Sequence, residues 1–153
     1  MENMANATQV SIMYRDADLM DQWPEINAGL HILSEEASYR LIQTMSFWAP
    51  GTVFVSVVDP GVGSERESVA VLTKTGHVIV TPDNGTLSHI AKEIGILERR
   101  RISETVNRLK GTEKTSIFHG RDLFAYCAAR LASGVIDFEG VGPEYPVEEI
   151  VLY

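Results

Sequence analysis

The chain has 153 residues and a formal net charge of −8 at neutral pH. That length suits one domain with a core of its own, and 44% apolar with 22% charged residues is ordinary for a globular protein. The acidic balance argues against nucleic-acid binding, and no apolar run is long enough to cross a membrane. The single cysteine, Cys127, excludes a disulfide framework, and without a secretory pattern we expect a cytoplasmic protein.

Periodicity and turn signals predict alternating helices and strands, and therefore a mixed α/β sheet layered with helices. Ser34 is expected to cap the first helix. The predicted elements are a helix over 34–45, a strand over 52–58, a hairpin of 68–74 with 77–81, and a helix over 86–94. We expect residues 106–115 to form a polar loop, 139–146 a linker, and the basic run 99–101 a solvated edge.

The segment 54–66 combines a strand with a turn suited to ligand binding. Its apolar, β-branched run is typical of a strand buried on both faces, which places Asp59 at the carboxyl end. Ligands bind outside such ends in open α/β sheets, and the glycines of Pro60-Gly-Val-Gly63 let backbone approach a ligand closely. The alternative is an ordinary turn, because Asp, Pro and Gly are common turn formers.

A second segment, 115–134, is predicted to be a short strand, a tight polar turn and a helix that Gly134 ends. His119 lies in the turn, where free N–H groups favour anions or developing negative charge. We therefore favour a functional His119. Asp122 is interpreted as a helix cap or first-turn acid, and Cys127 as a buried structural thiol.

Three motifs in this order carry a family resemblance: Asp59-Pro-Gly-Val-Gly-Ser-x-Arg66, Pro82-Asp-Asn-Gly85 and Phe118-His-Gly-Arg-Asp122. From about Ser34 to Tyr153 the chain resembles the S-adenosyl-L-methionine hydroxide adenosyltransferase family, hydrolytic relatives of the fluorinating and chlorinating enzymes. The resemblance implies a mixed, mostly parallel sheet. It also implies that water attacks C5′ of the ribose and expels methionine, which gives adenosine.

The resemblance assigns roles to eight residues. Asp59, Arg66 and His119 would position and activate the water, and halide-using members carry other residues at the Asp and His positions. Substrate contacts are expected from Pro60, Val62, Asn84, Phe118 and Gly120.

The chemistry of these residue types agrees with those roles. Neutral His is the more plausible base near neutral pH, while Arg66 cannot be a base and would orient Asp59 or stabilise hydroxide. Asn84, taken by itself, is a turn former expected in the left-handed conformation. We expect no metal and no cofactor, since the four histidines are scattered: His31, His77, His89 and His119.

Two parts of the family pattern are missing from this sequence. The family begins with a Ser/Thr-Asp-Phe-Gly turn that binds the ribose hydroxyls, whereas here residues 1–33 form a divergent segment with Asp16, Asp18 and Asp21. The family's C-terminal β-rich domain is also absent, so 34–153 is expected to be the adenosyltransferase-like α/β domain alone. Either the chain is a short form or fragment of a longer enzyme, or it is a degenerate version.

Three hypotheses follow. The first is hydrolysis of S-adenosyl-L-methionine, and the second is a catalytically impaired module that binds the nucleoside. A phosphate site ranks last, because Gly61 and Gly63 lack a following Gly-Lys-Ser/Thr. The expected partners are a small-molecule substrate and further copies of the chain, a trimer by family analogy, with no nucleic acid or membrane.

Overall fold

The computed structural model describes residues 24–153, with side chains from Ser34 onward. Helix α1, Pro24–Met45, begins before Ser34, so the predicted capping role of Ser34 is wrong. Ala37, Leu41 and Met45 are buried, which confirms the predicted four-residue spacing of the inner face. None of the described helices combines the length and the apolar character that crossing a membrane requires.

The described sheet has five strands in the order β1-β3-β2-β4-β5. They are Val53–Val55, Ser68–Thr73, Val78–Pro82, Ile96–Arg101 and Glu144–Tyr145. Only the β1–β3 pair is parallel, and the other three described pairs are antiparallel. The mixed α/β sheet is confirmed, but the expectation of a mostly parallel one is wrong. A tight turn joins β2 to β3, and a turn of that length can only connect antiparallel strands.

Both faces of the sheet are covered. On one face Val53, Val55 and Val80 pack against Leu123 and Phe124 of the helical segment that follows His119. On the other, Phe54, Val69, Val71 and Ile79 pack against residues of α1 and of α2, Ser88–Glu93. Strand β1 is therefore buried on both faces, as its apolar run predicted, but it ends at Val55 and not at Val58, so Asp59 lies four residues beyond it.

Several local predictions are confirmed. The 68–82 hairpin turns at Gly76, whose φ of +80° is the left-handed conformation that glycine adopts without strain. Helix α2 buries Ile90, and the chain leaves it at Gly95 with a φ of +89°. The polar loop predicted over 106–115 is confirmed from residue 108 onward, whereas its first two residues belong to the short helix α3, Glu104–Asn107.

The segment around His119 differs from its prediction. Residues 115–118 are irregular rather than a strand, and His119 stands at the start of the helical segment. Its first turns, Gly120–Ala125, are wound as a π-helix and continue into α4, Tyr126–Ala132. Cys127 is fully buried in α4, and burial raises the pKa of its thiol to about 12, which fits an inert structural thiol.

The basic run and the expected linker were both wrongly predicted. Arg99 to Arg101 end strand β4, and Arg99 is buried. The supposed linker forms the 3-10 turn Glu139–Val141 and strand β5, which pairs with β4. Two arginines of β4 are accommodated within the sheet because acidic residues distant in sequence pair with them, Asp83 with Arg99 and Glu67 with Arg101.

The Asp83–Arg99 ion pair connects three parts of the fold. Arg99 Nη2 donates to Asp83 Oδ2 at 2.7 Å, and the two side chains are 3% and 2% exposed. Asp83 Oδ1 also accepts the backbone N–H of Val151 at 3.0 Å. The pair therefore joins β4 to the turn after β3 and to the last residues of the chain.

We expect Arg99→Met to lower the free energy of unfolding by about 3–5 kcal/mol, because it leaves Asp83 buried without its counter-charge. The double variant Arg99→Met/Asp83→Asn should recover most of that loss. The control is Arg40→Met, which breaks an exposed pair with Glu36 and should cost below about 1 kcal/mol. Urea unfolding measures all three, and equal losses for Arg99→Met and Arg40→Met would contradict the expectation.

Candidate active site

Arg66 holds Asp59 through both prongs of its guanidinium. Its Nε donates to Asp59 Oδ1 at 2.7 Å, and its Nη2 donates to Oδ2. Its Nη1 donates to Ser68 Oγ at 2.6 Å, and its Cζ lies 5.2 Å from the centroid of the Phe124 ring. The two charged side chains are 10% and 6% exposed. This planar pairing fixes the Asp59 carboxylate within the loop that joins β1 to β2.

His119 completes a cluster of the three predicted catalytic side chains. Its Nδ1 lies 3.1 Å from Arg66 Nη2, across a separation of 53 positions in sequence. Arg66 is thus the common partner of Asp59 and His119. The proximity that the three motifs predicted is present in the structure.

The hydrogen bonds of His119 determine its protonation. A guanidinium can only donate, so Nδ1 accepts from Arg66 and the proton of the neutral ring lies on Nε2. Burial lowers the pKa of His119 below its ordinary value of 6.5. Arg66 and Arg108 lower this pKa further, while Glu104 and Asp59 oppose them. The ring is therefore neutral at neutral pH.

Arg108 is a neighbour of the cluster that the sequence did not reveal. Its Nη1 lies 3.5 Å from His119 Nε2 and donates to Glu104 Oε2 at 2.6 Å. The residue falls in the predicted polar loop, where no motif marks it. The one signal in the sequence is Glu104, four positions earlier, at the spacing of a helical ion pair.

Four of the five residues predicted to contact the substrate lie within three positions of Asp59 or His119 in the sequence. Pro60 and Val62 are half-buried in the turn after Asp59, and Gly120 is buried directly after His119. Phe118 is exposed, and the guanidinium carbon of Arg121 lies 4.9 Å from its ring centroid. The structure places these residues beside the cluster, and their contact with a substrate stays a prediction.

The side chain of Asn84 links the turn after β3 to the residue before Asp59. Its Nδ2 donates to the carbonyl oxygen of Val58 at 2.8 Å, and its Oδ1 accepts from Thr86 Oγ1 at 2.8 Å. Because Val58 immediately precedes Asp59, Asn84 fixes the chain that carries the carboxylate. The turn predicted at Asn84 is present, but the left-handed conformation expected for it is wrong, because among the described residues only glycines have a positive φ.

The last residue covers the turn that contains Asn84. Tyr153 donates its hydroxyl to the carbonyl oxygen of Asn84 at 2.7 Å, and its ring lies against Gly85. Gly85 has a φ of +98°, and a Cβ there would overlap the Tyr153 ring. Glycine is therefore required both by the backbone conformation and by the close approach of the ring. This contact was not predicted from the sequence.

A surface cleft opens beside the cluster. Arg66 and His119 line it, whereas Asp59 is not among the lining residues. The remaining lining residues are mostly polar or charged: Ser64, Glu65, Glu67, Ser68, Arg101, Ile102 and Glu104. The cleft thus gives a polar ligand access to the guanidinium and the imidazole, but not directly to the carboxylate.

The other described histidines lie elsewhere. His77 bonds to the carbonyl oxygen of Trp48 at 3.0 Å, and His89 bonds to Ser38 on α1. The side chain of His31 is outside the described residues, as are Asp16, Asp18 and Asp21. In the described part of the chain, no group of three or more His, Cys, Asp or Glu residues is arranged to hold a metal ion.

Comparison with known proteins identifies the family of this chain. The family model described as "SAM hydroxide adenosyltransferase N-terminal domain" matches residues 12–142. The (R)-S-adenosyl-L-methionine hydrolase of Thermus thermophilus is 39% identical over 119 residues, which cover 74% of this chain and 46% of the relative. That of Methanocaldococcus jannaschii is 39% identical over 94 residues, covering 61% and 34%. The chain thus spans less than half the length of these relatives.

A solved structure from Thermotoga maritima, titled an uncharacterized conserved protein, is also similar. It has a TM-score of 0.71 and 36% identity, and the match covers 77% of this chain and 45% of that one. Because the family model matches most of the chain, this protein belongs to the SAM hydroxide adenosyltransferase family, through the N-terminal domain of that family.

Proposed function

We propose that this chain, by itself or within a longer enzyme, hydrolyses S-adenosyl-L-methionine to adenosine and L-methionine. The observation that carries the proposal is the Arg66 fork, which joins Asp59 to His119 beside an open cleft. Family membership and the hydrolase names of the relatives support the same chemistry.

The reaction is a displacement at carbon. The oxygen of water bonds to C5′ of the ribose, the C5′–S bond breaks, and sulfur keeps the electron pair as the neutral thioether of methionine. Because that leaving group needs no proton, the site needs no general acid and the proposal includes no metal or other cofactor. What the reaction requires is a water molecule held in line and relieved of a proton.

The three clustered residues have distinct proposed roles. Arg66 keeps its positive charge beside the attacking water and stabilises the hydroxide that develops. Each Asp59 oxygen accepts one bond from Arg66 and has capacity for another, so Asp59 orients the water. His119 is neutral and accepts the proton, which requires its Nδ1 to exchange the bond with Arg66 for one with water.

The substrate contacts of the proposal are the residues around this cluster. They are Pro60, Val62, Asn84, Phe118 and Gly120, of which Asn84 supports the turn from behind through its bond to Val58. A catalytically impaired nucleoside-binding module remains the second candidate. It is favoured by the cleft, which Asp59 does not line.

We expect the full protein to release adenosine and methionine in equal amounts, with no effect of a chelator. Asp59→Ala and His119→Ala should each lower kcat by ~100-fold or more, the scale for a positioned base or its partner. Arg66→Lys should also be poorly tolerated, because an ammonium cannot replace the two-pronged donor. His89→Ala is the matched control and should retain activity. Liquid chromatography of the products measures each rate.

Calorimetry separates the enzyme from the binding module. Binding of S-adenosyl-L-methionine by the wild-type protein, with no product after prolonged incubation, would remove the hydrolase proposal and leave the binding module.

We also propose that the substrate is the (R) epimer at the sulfonium centre, as the relatives' names specify. Attack at C5′ occurs in line with the C5′–S bond, so inversion at sulfur changes where the methyl and methionine groups lie around the reacting carbon. With separated epimers, kcat/KM should be clearly higher for (R). Equal values of kcat/KM would show that this site does not distinguish the two configurations at the sulfonium centre.

We further propose a cytoplasmic homo-oligomer, a trimer by family analogy. Phe47, 87% exposed, stands beside Trp48 just after α1, and exposed aromatic surface is typically covered by a partner. Light scattering should give a mass above that of one chain, and Phe47→Ser should weaken the assembly. A monomer at high concentration would contradict this expectation.

A further inference from the structure

Arg108 is a buried cation whose bonds all serve the neighbourhood of His119. Its side chain is 7% exposed, and its Nη1 donates to Glu104 Oε2 at 2.6 Å. Its Nη2 donates to the carbonyl oxygens of Thr112, at 3.2 Å, and of Thr115. A buried guanidinium needs such partners. These bonds hold the segment that leads into His119.

His119 lies between two guanidinium groups. Arg66 Nη2 is 3.1 Å from Nδ1, and Arg108 Nη1 is 3.5 Å from Nε2. Neither guanidinium can accept a proton, and a neutral imidazole has one acceptor nitrogen. The nearer Arg66 occupies that acceptor. An imidazolium would place a third positive charge between the other two.

We infer that Arg108 is a positioning residue of this site: it anchors residues 112–115 and, with Glu104 as its counter-charge, presents His119 as a neutral ring. The inference rests on the proposed hydrolase function, in which neutral His119 accepts the proton. Arg108 itself acts through His119 and has no proposed contact with the substrate.

The charges around His119 come from every element packed near it. The loop after β1 contributes Asp59 and Arg66, and α3 with the residue after it contributes Glu104 and Arg108. The shared cleft and the helical segment of His119 itself add further charges: Glu65, Glu67, Arg101, Arg121 and Asp122.

Arg108 and Glu104 have opposite effects on the pKa of His119. The pKa of His119 is lowered mainly by burial, then by Arg66; Arg108 also lowers it, whereas Glu104 raises it. Replacing Arg108 with Met keeps most of the side-chain volume but removes the charge. The pKa of His119 should then rise in Arg108→Met and fall in Glu104→Gln.

The test is an NMR titration of the His119 ring in the full protein, assigned by the signal lost in His119→Gln. We expect an upward pKa shift in Arg108→Met, a downward shift in Glu104→Gln and little change in the charge-conserving Arg108→Lys.

In the pH profile of kcat/KM, a higher pKa leaves His119 protonated to higher pH. The acidic limb should therefore move to higher pH in Arg108→Met and to lower pH in Glu104→Gln. On the plateau, kcat of Arg108→Met should fall by about 10-fold with little change in KM.

A folded Arg108→Met protein with an unshifted His119 pKa would overturn the inference, and so would shifts of the same sign in Arg108→Met and Glu104→Gln. If Arg108→Met does not fold, Glu104→Gln decides alone, and an unchanged or raised pKa there overturns it. The titration does not depend on turnover. Opposite shifts in a protein that does not hydrolyse S-adenosyl-L-methionine would support the positioning role and overturn the proposed function.

Discussion

The site depends on the hydrogen bonds that the Arg66 guanidinium makes to Asp59 and to His119. Two of its nitrogens hold Asp59, and one of these also bonds to His119. A lysine could not make these contacts together, because an ammonium is a point charge without a planar fork. The guanidinium therefore sets the direction of the carboxylate and selects the nitrogen of His119 that carries the proton. One side chain thus determines both the geometry and the protonation of the cluster.

The fold brings these residues together by stacking elements on both faces of β1. Asp59 follows the end of the strand by four residues, and the helical segment that begins at His119 packs on one face of the sheet through Leu123 and Phe124. Arg66 lies over the Phe124 ring, so the packing of Phe124 on the sheet also positions the guanidinium. From the neighbouring β3, the turn at Asn84 bonds back to Val58. The core and the site consequently share residues, and their positions are set together.

Local signals in the sequence were sufficient for some features and not for others. The hairpin and helix α2 were predicted because each depends on a short local pattern, whereas the cluster of Asp59, Arg66 and His119 was predicted from the resemblance of three motifs to a known family. Strand β4 was not, since its arginines are stabilised by Asp83 and Glu67, which only the folded chain brings near. Arg108 was missed for the same reason, because its approach to His119 brings together two stretches that periodicity treats separately.

The burial of so much charge is itself informative. Burying an ion pair costs desolvation energy that its mutual attraction does not reliably offset, so stability alone is a weak reason for such a cluster. The Asp83–Arg99 pair has an evident structural task, because it ties the turn after β3 to Val151. Within the cluster of Asp59, Arg66 and His119, the last two instead border an open cleft, and Arg108 brings a second cation to within 3.5 Å of the His119 ring. Titratable groups whose pKa is shifted by burial and by nearby charges concentrate at functional sites. The burial of these charges beside the cleft therefore supports the proposed role of His119 as the proton acceptor.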